Sequence, residues 1–449
     1  MARIFKNTKI QIQQKKIFIG PHEVAGFYSH LSKGFKQLGV EHDYITHNRH
    51  RYSYGGQTKF PLLLAWAFFF HQVRTKKAQN VYLKALTALI DEVLKNLWGL
   101  ITIFKYDVFI FGFGHTLLRN NFDLYVLKLL KKCVIIQLHG SEVRPPYCDG
   151  AIKKHVGDKT ELTDFLFLKA IENKNRMEKL QKLSNFLIGA PLSSAQFATK
   201  PFINFFEIGI PHYFDPSQET NNVEVLDQSK NEKNRAVRIL HCPSDPEAKG
   251  TKLIAEAIKR LKKKGYHIEY IERKNILNEE VIEEIKKCDF VVDQLYSTTP
   301  LAGFAKEAAC FAKPTVVGGY GFSLLRALLN EDVFPPAQIC HPSDIERSIE
   351  TLIKEPRIRK ALGNDAQRFV REKWSASAVA CCFLKLMSGD IPDHWWIDPF
   401  SFCYLSGGFQ SENETKKKLR KLIDEKGVSS LQLNHNPSLE KAFVDFANS

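Results

Sequence analysis

The sequence predicts an α/β protein built from two open parallel sheets, one in each half of the chain. Short apolar runs alternate with helical patterns along most of the 449 residues, which is typical of βαβ units. Apolar periodicity is lost between His212 and Ala236, where we place an interdomain linker. A second series of apolar runs then starts at Val237. The length also exceeds what one hydrophobic core usually supports, which favours two domains.

The strand candidates follow this division. In the first half they are Ile17–Gly20, Asp43–Thr46, Val108–Phe111, Val134–Leu138 and Phe186–Ile188. In the second half they are Val237–His241, Ile268–Ile271, Phe290–Val292 and Thr315–Val317. The clearest helix carries apolar residues on one face from Val24 to Leu38, and Gly39 ends it. We therefore predict domains at residues 1–212 and 213–388, and a partly helical tail at 389–449, whose run Lys416–Lys421 we interpret as a solvated helix face.

The composition narrows the class of partner. The formal net charge of +15 favours anionic partners such as nucleotides, phosphorylated carriers, phospholipid headgroups or nucleic acid. The basic residues are spread along the chain and form no recognised nucleic-acid module, so we expect no nucleic-acid partner. An apolar fraction of 44% excludes disorder as the main state.

Cysteine usage and hydropathy indicate the compartment. The nine cysteines include no CxxC pair, which argues against a disulfide framework or a zinc site and suits a reducing cytoplasm. Residues Met1–Lys16 are basic and polar, and no long apolar run follows them, so we expect no signal peptide. The most apolar stretch, Pro61–Phe70, is about half the ~20 residues that span a bilayer. We expect a cytoplasmic protein, either soluble or peripheral on the inner face of the plasma membrane.

Loops that follow the strands are the expected binding positions, because ligands of open parallel sheets bind beyond the carboxyl ends of the strands. In the loop Cys242–Thr251, the Lys249 ammonium and the free amides at a helix start can bind a diphosphate without a metal. The alternative is an ordinary turn with a solvated lysine. In Asp293–Pro314, Glu307 can accept hydrogen bonds from ribose hydroxyls, or serve only as a helix-dipole partner.

These two loops carry a family resemblance. Lys249-Gly250 and Glu307–Pro314, each on a loop that enters a helix, resemble the donor-binding half of GT-B glycosyltransferases, most closely family 4, the retaining enzymes that use UDP- or GDP-sugars. The resemblance implies two Rossmann-like, doubly wound parallel-sheet domains that face a central cleft. It also implies that Lys249 contacts the donor diphosphate and that Glu307 binds the ribose.

The rest of the predicted donor site follows from the same resemblance. Ser244 stands where the family usually has an arginine, and Thr299 stands where it usually has a first glutamate. The positions predicted to lie against the diphosphate, besides Lys249, are Gly26, Ser244, Gly250, Thr251, Thr299 and Gly303. Gly26 belongs to Gly20–Ser29, which is similar to the family's N-terminal glycine loop, although a lone glycine in a turn is more often structural.

The acceptor side is predicted in the first half. His139–Arg144 resembles the family's HGSD-type loop, so His139 is a catalytic candidate with Lys249 and Arg144 is a candidate for an anionic acceptor group. His22 and His115 are further acceptor candidates. For each histidine the alternative is a structural side chain with satisfied hydrogen bonds.

Residues 47–105 combine basic, aromatic and apolar side chains in two helical patterns. They include Tyr52, Tyr54, the run Leu62–Phe70 and the amphipathic stretch Val81–Trp98. Such a helix pair can rest on an anionic leaflet and deliver a lipid-linked acceptor. The alternative is an ordinary pair of core helices.

Together these features predict a metal-independent hexosyltransferase without a cofactor. It would move a sugar from a UDP- or GDP-sugar to a hydroxyl of a saccharide or lipid-linked acceptor, with retained configuration, in surface polysaccharide or glycolipid assembly. Two alternatives stay open: a nucleotide-sugar epimerase of the same fold, and a degenerate relative that binds nucleotide-sugars without reaction.

Overall fold

The computed structural model of the protein describes residues 15–47, 61–76, 80–155, 161–214 and 235–449. Most of the predicted linker between His212 and Ala236, and most of the basic segment after His47, lie outside the described residues. The strands are β1 (Ile17–Ile19), β2 (His42–Tyr44), β3 (Val108–Gly112), β4 (Cys133–Gln137), β5 (Phe186–Gly189), β6 (Phe202–Asn204), β7 (Val237–His241), β8 (Ile268–Glu272), β9 (Phe290–Val292), β10 (Thr315–Gly318), β11 (Gln338–Cys340) and β12 (Trp396–Ile397).

The α-helices surround these strands. They are α1 (Phe27–Gln37), α2 (Leu62–Lys76), α3 (Val81–Lys105), α4 (Asp123–Leu129), α5 (Leu162–Leu183), α6 (Pro191–Ser194), α7 (Phe205–Ile208), α8 (Thr251–Lys263), α9 (Asn278–Lys287), α10 (Gly303–Cys310), α11 (Phe322–Leu328), α12 (Ile345–Lys354), α13 (Pro356–Lys373), α14 (Ala376–Ser388), α15 (Glu412–Lys426) and α16 (Pro437–Asn448).

The strands form two separate sheets. The first has the order β12-β6-β5-β4-β3-β1-β2, and its six N-terminal strands are parallel. The second has the order β11-β10-β9-β7-β8 and is parallel throughout. Helices cover both faces of such sheets, so the central strands are mostly short apolar runs, whereas the edge strand β8 also carries Glu269 and Glu272. The predicted α/β fold with two parallel sheets is confirmed.

Apolar clusters fill both faces of each sheet and also the junction between the two units. Phe18, Phe109 and Ile136 lie on one face of the first sheet, and Ile17, Ile110 and Ile188 on the other. The junction cluster combines residues of both units and the tail, namely Leu192, Phe206, Leu301, Leu325, Trp374 and Tyr404. The two units are therefore held together by a shared hydrophobic core.

The last part of the chain returns to the first unit. Helix α14 packs against α1, where Gly34 has no room for a side chain: an added Cβ would lie 2.0 Å from the Ala376 carbonyl oxygen. Strand β12 then pairs antiparallel with β6, and α15 packs against α5. The tail that follows residue 388 is thus part of the first unit.

Most predicted strands agree with the structure to within one or two residues, whereas three strands were not predicted. Strand β12 has only two residues, and β6 and β11 have three each. Strand β11 is only partly buried along its whole length, and β12 is a two-residue pairing at the edge of the first sheet. Their place in the sheets depends on their neighbours.

Candidate functional site

The carboxyl edges of the two sheets face each other. Arg144, in the loop after β4, and Thr298, in the loop after β9, approach to 3.5 Å between Nη2 and Oγ1. The tail bridges the same place, since the Gly408 amide donates to the Cys148 carbonyl at 3.0 Å and the Phe409 amide donates to the Tyr296 carbonyl at 2.9 Å. The loops selected from the sequence therefore converge on one interdomain cleft.

Lys249 lies at the head of α8, against the end of β9. Gly250 adopts the left-handed conformation (φ 71°) at the N-cap, and an added Cβ would lie 2.7 Å from the Cβ of Leu295. The Leu295 amide donates to the Lys249 carbonyl at 3.0 Å, which joins the two loops. The Lys249 ammonium donates to Oδ1 of buried Asp293 at 3.0 Å. Lys249 is therefore a paired cation rather than a solvated lysine.

The other predicted residues of this loop differ in their surroundings. Ser244 is exposed. The Thr251 hydroxyl is buried and bonds Nε2 of His241 at 2.9 Å, and Nδ1 of that histidine bonds the Val292 carbonyl at 2.7 Å. The side chain of Thr251 thus ties α8 to β7 and β9, and its backbone amide donates to the Pro246 carbonyl at 3.0 Å.

Glu307 lies in α10, on the same edge of the second sheet. Its Oε1 accepts a hydrogen bond from Asn278 at 2.9 Å, and burial raises the pKa of its carboxyl group. Gly303 is exposed at the first position of the helix, where backbone amides lack intrahelical partners. Thr299 lies just before, with its Oγ1 buried and without a hydrogen-bond partner among the described residues.

The histidines of the first unit are held in the neutral form. Nε2 of His139 lies 3.1 Å from the Tyr28 hydroxyl, and burial lowers the pKa of this histidine to about 4. The rings of His22 and His115 approach to 4.4 Å between centroids. Burial is also the main cause that lowers the pKa of His22, to about 4, and that of His115. Neutral imidazoles suit hydroxyl groups better than anions.

The glycine loop ends at Gly26, which is left-handed (φ 81°) at the N-cap of α1. The amides at this helix start are already engaged, because the Glu23 carboxylate accepts from the amides of Tyr28 and Ser29 at 3.2 and 2.8 Å. Glu23 also accepts from the Tyr44 hydroxyl at 2.5 Å. A diphosphate at this helix start would have to displace the carboxylate.

Four residues of the site were not predicted from the sequence. Three of them are partners of predicted groups: Asp293 pairs with Lys249, Glu23 accepts from amides of α1, and Asn278 donates to Glu307. The fourth is buried Lys306, whose ammonium donates to the Pro211 carbonyl at 3.4 Å. Only Lys306 had a sequence signal, a charge beside Glu307 in an alanine-rich helix. The predicted solvated lysine face of the tail is wrong at Lys418, which is buried and donates to the Asp149 carbonyl at 3.0 Å.

A cavity of about 360 Å³ lies between the loop after β8 and helix α9, and Lys249 is not part of its lining. Its lining is Arg273, Ile276, Glu279, Glu280, Glu283, Glu284 and Lys287. Four carboxylates disfavour a diphosphate by like-charge repulsion. The predicted diphosphate and ribose positions, Lys249 and Glu307, lie outside the lining of this cavity.

Fold and site together define the class. The molecule has two Rossmann-like units with parallel sheets whose carboxyl edges face a common cleft, and a C-terminal helix that returns to the first unit. This is the GT-B fold class.

No protein-family model and no curated protein matches the chain. Among solved structures, it is similar to HepE from Anabaena in complex with UDP and glucose, with 10% identity, a TM-score of 0.43, and coverage of 84% of this chain and 100% of that one. The catalytic domain of starch synthase IV from Arabidopsis thaliana, bound to ADP and acarbose, has 11% identity and a TM-score of 0.44, over 84% and 99% of the two chains. UDP-GlcNAc 2-epimerase from Neisseria meningitidis has 12% identity and a TM-score of 0.40, over 83% and 98%. Because these scores lie below 0.5, the class rests on the chain's own topology.

Proposed function

We propose that the protein is a retaining glycosyltransferase that moves a sugar from a UDP- or GDP-sugar to a hydroxyl of a saccharide or lipid-linked acceptor. One observation carries the proposal. A lysine at the head of α8 and a glutamate in α10 share one sheet edge, and neutral histidines line the opposite edge. The first set suits a nucleoside diphosphate, and the second suits hydroxyl groups.

On the donor side, the leaving diphosphate needs positive charge that is in place before the bond breaks. Lys249 is held by Asp293 at 3.0 Å, and the amides at the heads of α8 and α10 add partial positive charge. In the proposed complex a phosphate oxygen joins Asp293 as a partner of the ammonium, and Glu307 accepts hydrogen bonds from the ribose. These groups supply the charge that the reaction needs without a metal or cofactor.

On the acceptor side, His139 is placed to orient a sugar hydroxyl. If the Tyr28 hydroxyl donates to Nε2, the neutral ring carries its proton on Nδ1. The Nδ1–H group can then donate a hydrogen bond to a sugar hydroxyl. His22 and His115 extend this neutral surface. Closure of the cleft around both substrates would exclude water and limit hydrolysis of the donor.

Calorimetry with UDP and GDP, followed by transfer assays with UDP- and GDP-sugars, tests the proposal. We expect one nucleotide to bind and its sugar to be consumed only when an acceptor is present. Conversion of the donor alone into an epimer would favour the epimerase, and binding without turnover the degenerate relative. If neither UDP nor GDP binds, the glycosyltransferase, the epimerase and the degenerate binding protein are all ruled out.

The acceptor is proposed to reach the site from a membrane surface. Helices α2 and α3 pack as an antiparallel pair that exposes many large apolar side chains. On α3, exposed residues recur at helical spacing along one face, including Tyr82 (84%) and Phe104 (69%). We call the following exposed set the hairpin surface: Leu62, Trp66, Phe69, Val81, Tyr82, Leu83, Leu86, Leu89, Val93, Leu97, Leu100, Ile101 and Phe104.

The charges on and next to the hairpin surface favour an anionic bilayer as its partner. Lys84 and Lys105 are exposed on α3, and Lys128 and Lys131 lie on or just after the neighbouring α4. Of the two carboxyl groups of α3, Asp91 is buried in an ion pair with Lys95 at 2.8 Å. Among the described residues, no helix is long and apolar enough to cross a membrane. An amphipathic surface of this type lies in the plane of the headgroups.

The hairpin surface leads towards the acceptor histidines. Trp98 of α3 contacts the ring of His47 at 5.3 Å between centroids, and His47 lies 6.1 Å from the ring of His22. A lipid-linked sugar whose lipid stays in the bilayer would therefore present its hydroxyl near the cleft.

Sedimentation with vesicles tests this surface. We expect the protein to bind phosphatidylglycerol-containing vesicles better than pure phosphatidylcholine vesicles, and Leu86→Glu with Leu89→Glu to weaken binding about tenfold or more. Leu253→Glu, at an exposed leucine of the second unit, is the matched control. If the double variant binds vesicles normally, or instead dissociates a dimer in lipid-free buffer, the membrane proposal is wrong.

A further inference from the structure

The most under-satisfied charged group in the cleft is Arg144. Its residue is 2% exposed, yet Nε and Nη1 have no hydrogen-bond acceptor among the described residues. The two polar contacts of the side chain are long: 3.5 Å from Nη1 to Oδ2 of Asp149, and 3.5 Å from Nη2 to Oγ1 of Thr298. Buried guanidinium groups normally have their donors satisfied, so this arrangement indicates an absent acceptor.

The tail packs against Arg144. The Phe409 ring lies 5.2 Å from the guanidinium carbon, which leaves the edge of the guanidinium plane for hydrogen bonding. Gly408 lies between the units, where an added Cβ would be 3.0 Å from Cγ2 of Thr298 and 3.5 Å from Nη1 of Arg144. Arg144 is therefore enclosed by the first unit, the second unit and the tail.

The charged groups near Arg144 are buried and include a second cation. Buried Lys418 donates to the Asp149 carbonyl, so two buried cations, Arg144 and Lys418, meet one buried carboxylate. The other nearby carboxyl group, Glu142, accepts from the His139 amide at 2.6 Å, and burial raises its pKa. The facing loop of the second unit, Ser297–Gly303, contains hydroxyl and apolar side chains and no carboxylate.

We propose that Arg144 and the Thr298–Thr299 hydroxyls form a subsite for a sugar that carries a carboxylate. A guanidinium presents paired N–H groups that match a carboxylate. The buried hydroxyl of Thr299, which has no hydrogen-bond partner among the described residues, can add a third hydrogen bond. The sugar is either the transferred glycosyl group of the donor or the acceptor residue, because Arg144 lies at the contact between the two units. This inference rests on the proposed glycosyltransferase function and adds its substrate class.

Calorimetry of the full chain separates the two sources. In the donor arm, UDP-glucuronate is compared with UDP-glucose, and GDP-mannuronate with GDP-mannose. In the acceptor arm, free glucuronate is compared with glucose, with and without saturating nucleotide. We expect at least a tenfold preference for the uronate in one arm, and that arm identifies the source.

Substitutions test whether Arg144 causes the preference for a uronate over a neutral sugar. Arg144→Gln should abolish the discrimination between uronate and neutral sugar, and Arg144→Lys should restore part of it. Arg176→Gln is the matched control, because Arg176 donates to the Glu142 carbonyl at 3.2 Å outside the contact with Thr298. A purely structural Arg144 would change stability without changing this ratio.

Equal affinity for uronate and neutral sugar in both arms, measured on the wild-type protein, would overturn the inference even if the variants fail to fold. If neither nucleotide binds but glucuronate binds in a manner that depends on Arg144, the subsite stands and only the proposed nucleotide-sugar function fails.

Discussion

The two carboxyl edges that face each other across the cleft differ in how their polar groups are satisfied. On the second sheet the charged groups are already paired, Lys249 with Asp293 and Glu307 with Asn278, at 3.0 and 2.9 Å. On the first sheet the histidines are neutral and Arg144 is incompletely bonded. The edge of the second sheet thus carries charged groups that are held by partners within the unit, whereas the edge of the first sheet combines neutral imidazoles with one incompletely bonded cation.

Replacement of Lys249 by Ala should have the largest effect. Loss of the ammonium should lower turnover by about 10²–10³-fold, the usual result when one donor to a developing negative charge is removed. It also leaves Asp293 buried and unpaired, so the free energy of unfolding should fall by about 3–5 kcal/mol. Turnover is measured with the preferred nucleotide-sugar, and stability by denaturant titration.

The double variant Lys249→Ala with Asp293→Asn separates the two effects. It removes the unpaired carboxylate, and we expect stability to recover while turnover stays low. Full activity in the double variant would show that Lys249 acts only on the fold.

Glu307→Gln should have the next largest effect. The amide keeps the size of the side chain but loses the charged acceptor for a ribose hydroxyl, so nucleotide affinity should fall about tenfold. Titration of the nucleotide by calorimetry measures this change. Glu280→Gln, an exposed glutamate of α9, is the control, and equal affinities of the two variants would contradict a ribose contact.

A smaller effect is expected on the free energy of unfolding when the pH is lowered. His22 and His139 have folded-state pKa values of about 4, below the ordinary value of 6.5. Between pH 6.5 and 4 the unfolded state binds more protons than the folded state, so stability should fall as the pH is lowered through this window. The slope is at most about 1.4 kcal/mol per pH unit for each histidine.

Melting curves between pH 8 and pH 4.5 measure this dependence. His139→Asn should flatten the profile relative to the wild type. A wild-type profile that coincides with that of His139→Asn would contradict a buried neutral imidazole.

The candidate site shows where prediction from sequence stops. The loops around Lys249 and Glu307 could be selected because each follows a strand and enters a helix, and their convergence follows from the adjacency of β7 and β9. The pairing of Lys249 with Asp293 could not be predicted, because the two residues are close only after the strands align. The same holds for Glu23, whose carboxylate accepts from amides at the start of α1, just after the predicted diphosphate position Gly26.

The sequence by itself determined the two parallel sheets and the positions of the loops at their carboxyl edges, because strand burial and helix amphipathicity are encoded within short windows. The tertiary structure decided which charges are already paired, that the tail joins the first sheet through β12, and that Phe409 and Thr298 enclose Arg144. These features depend on contacts between residues far apart in the chain, which only the packing of the two units brings together.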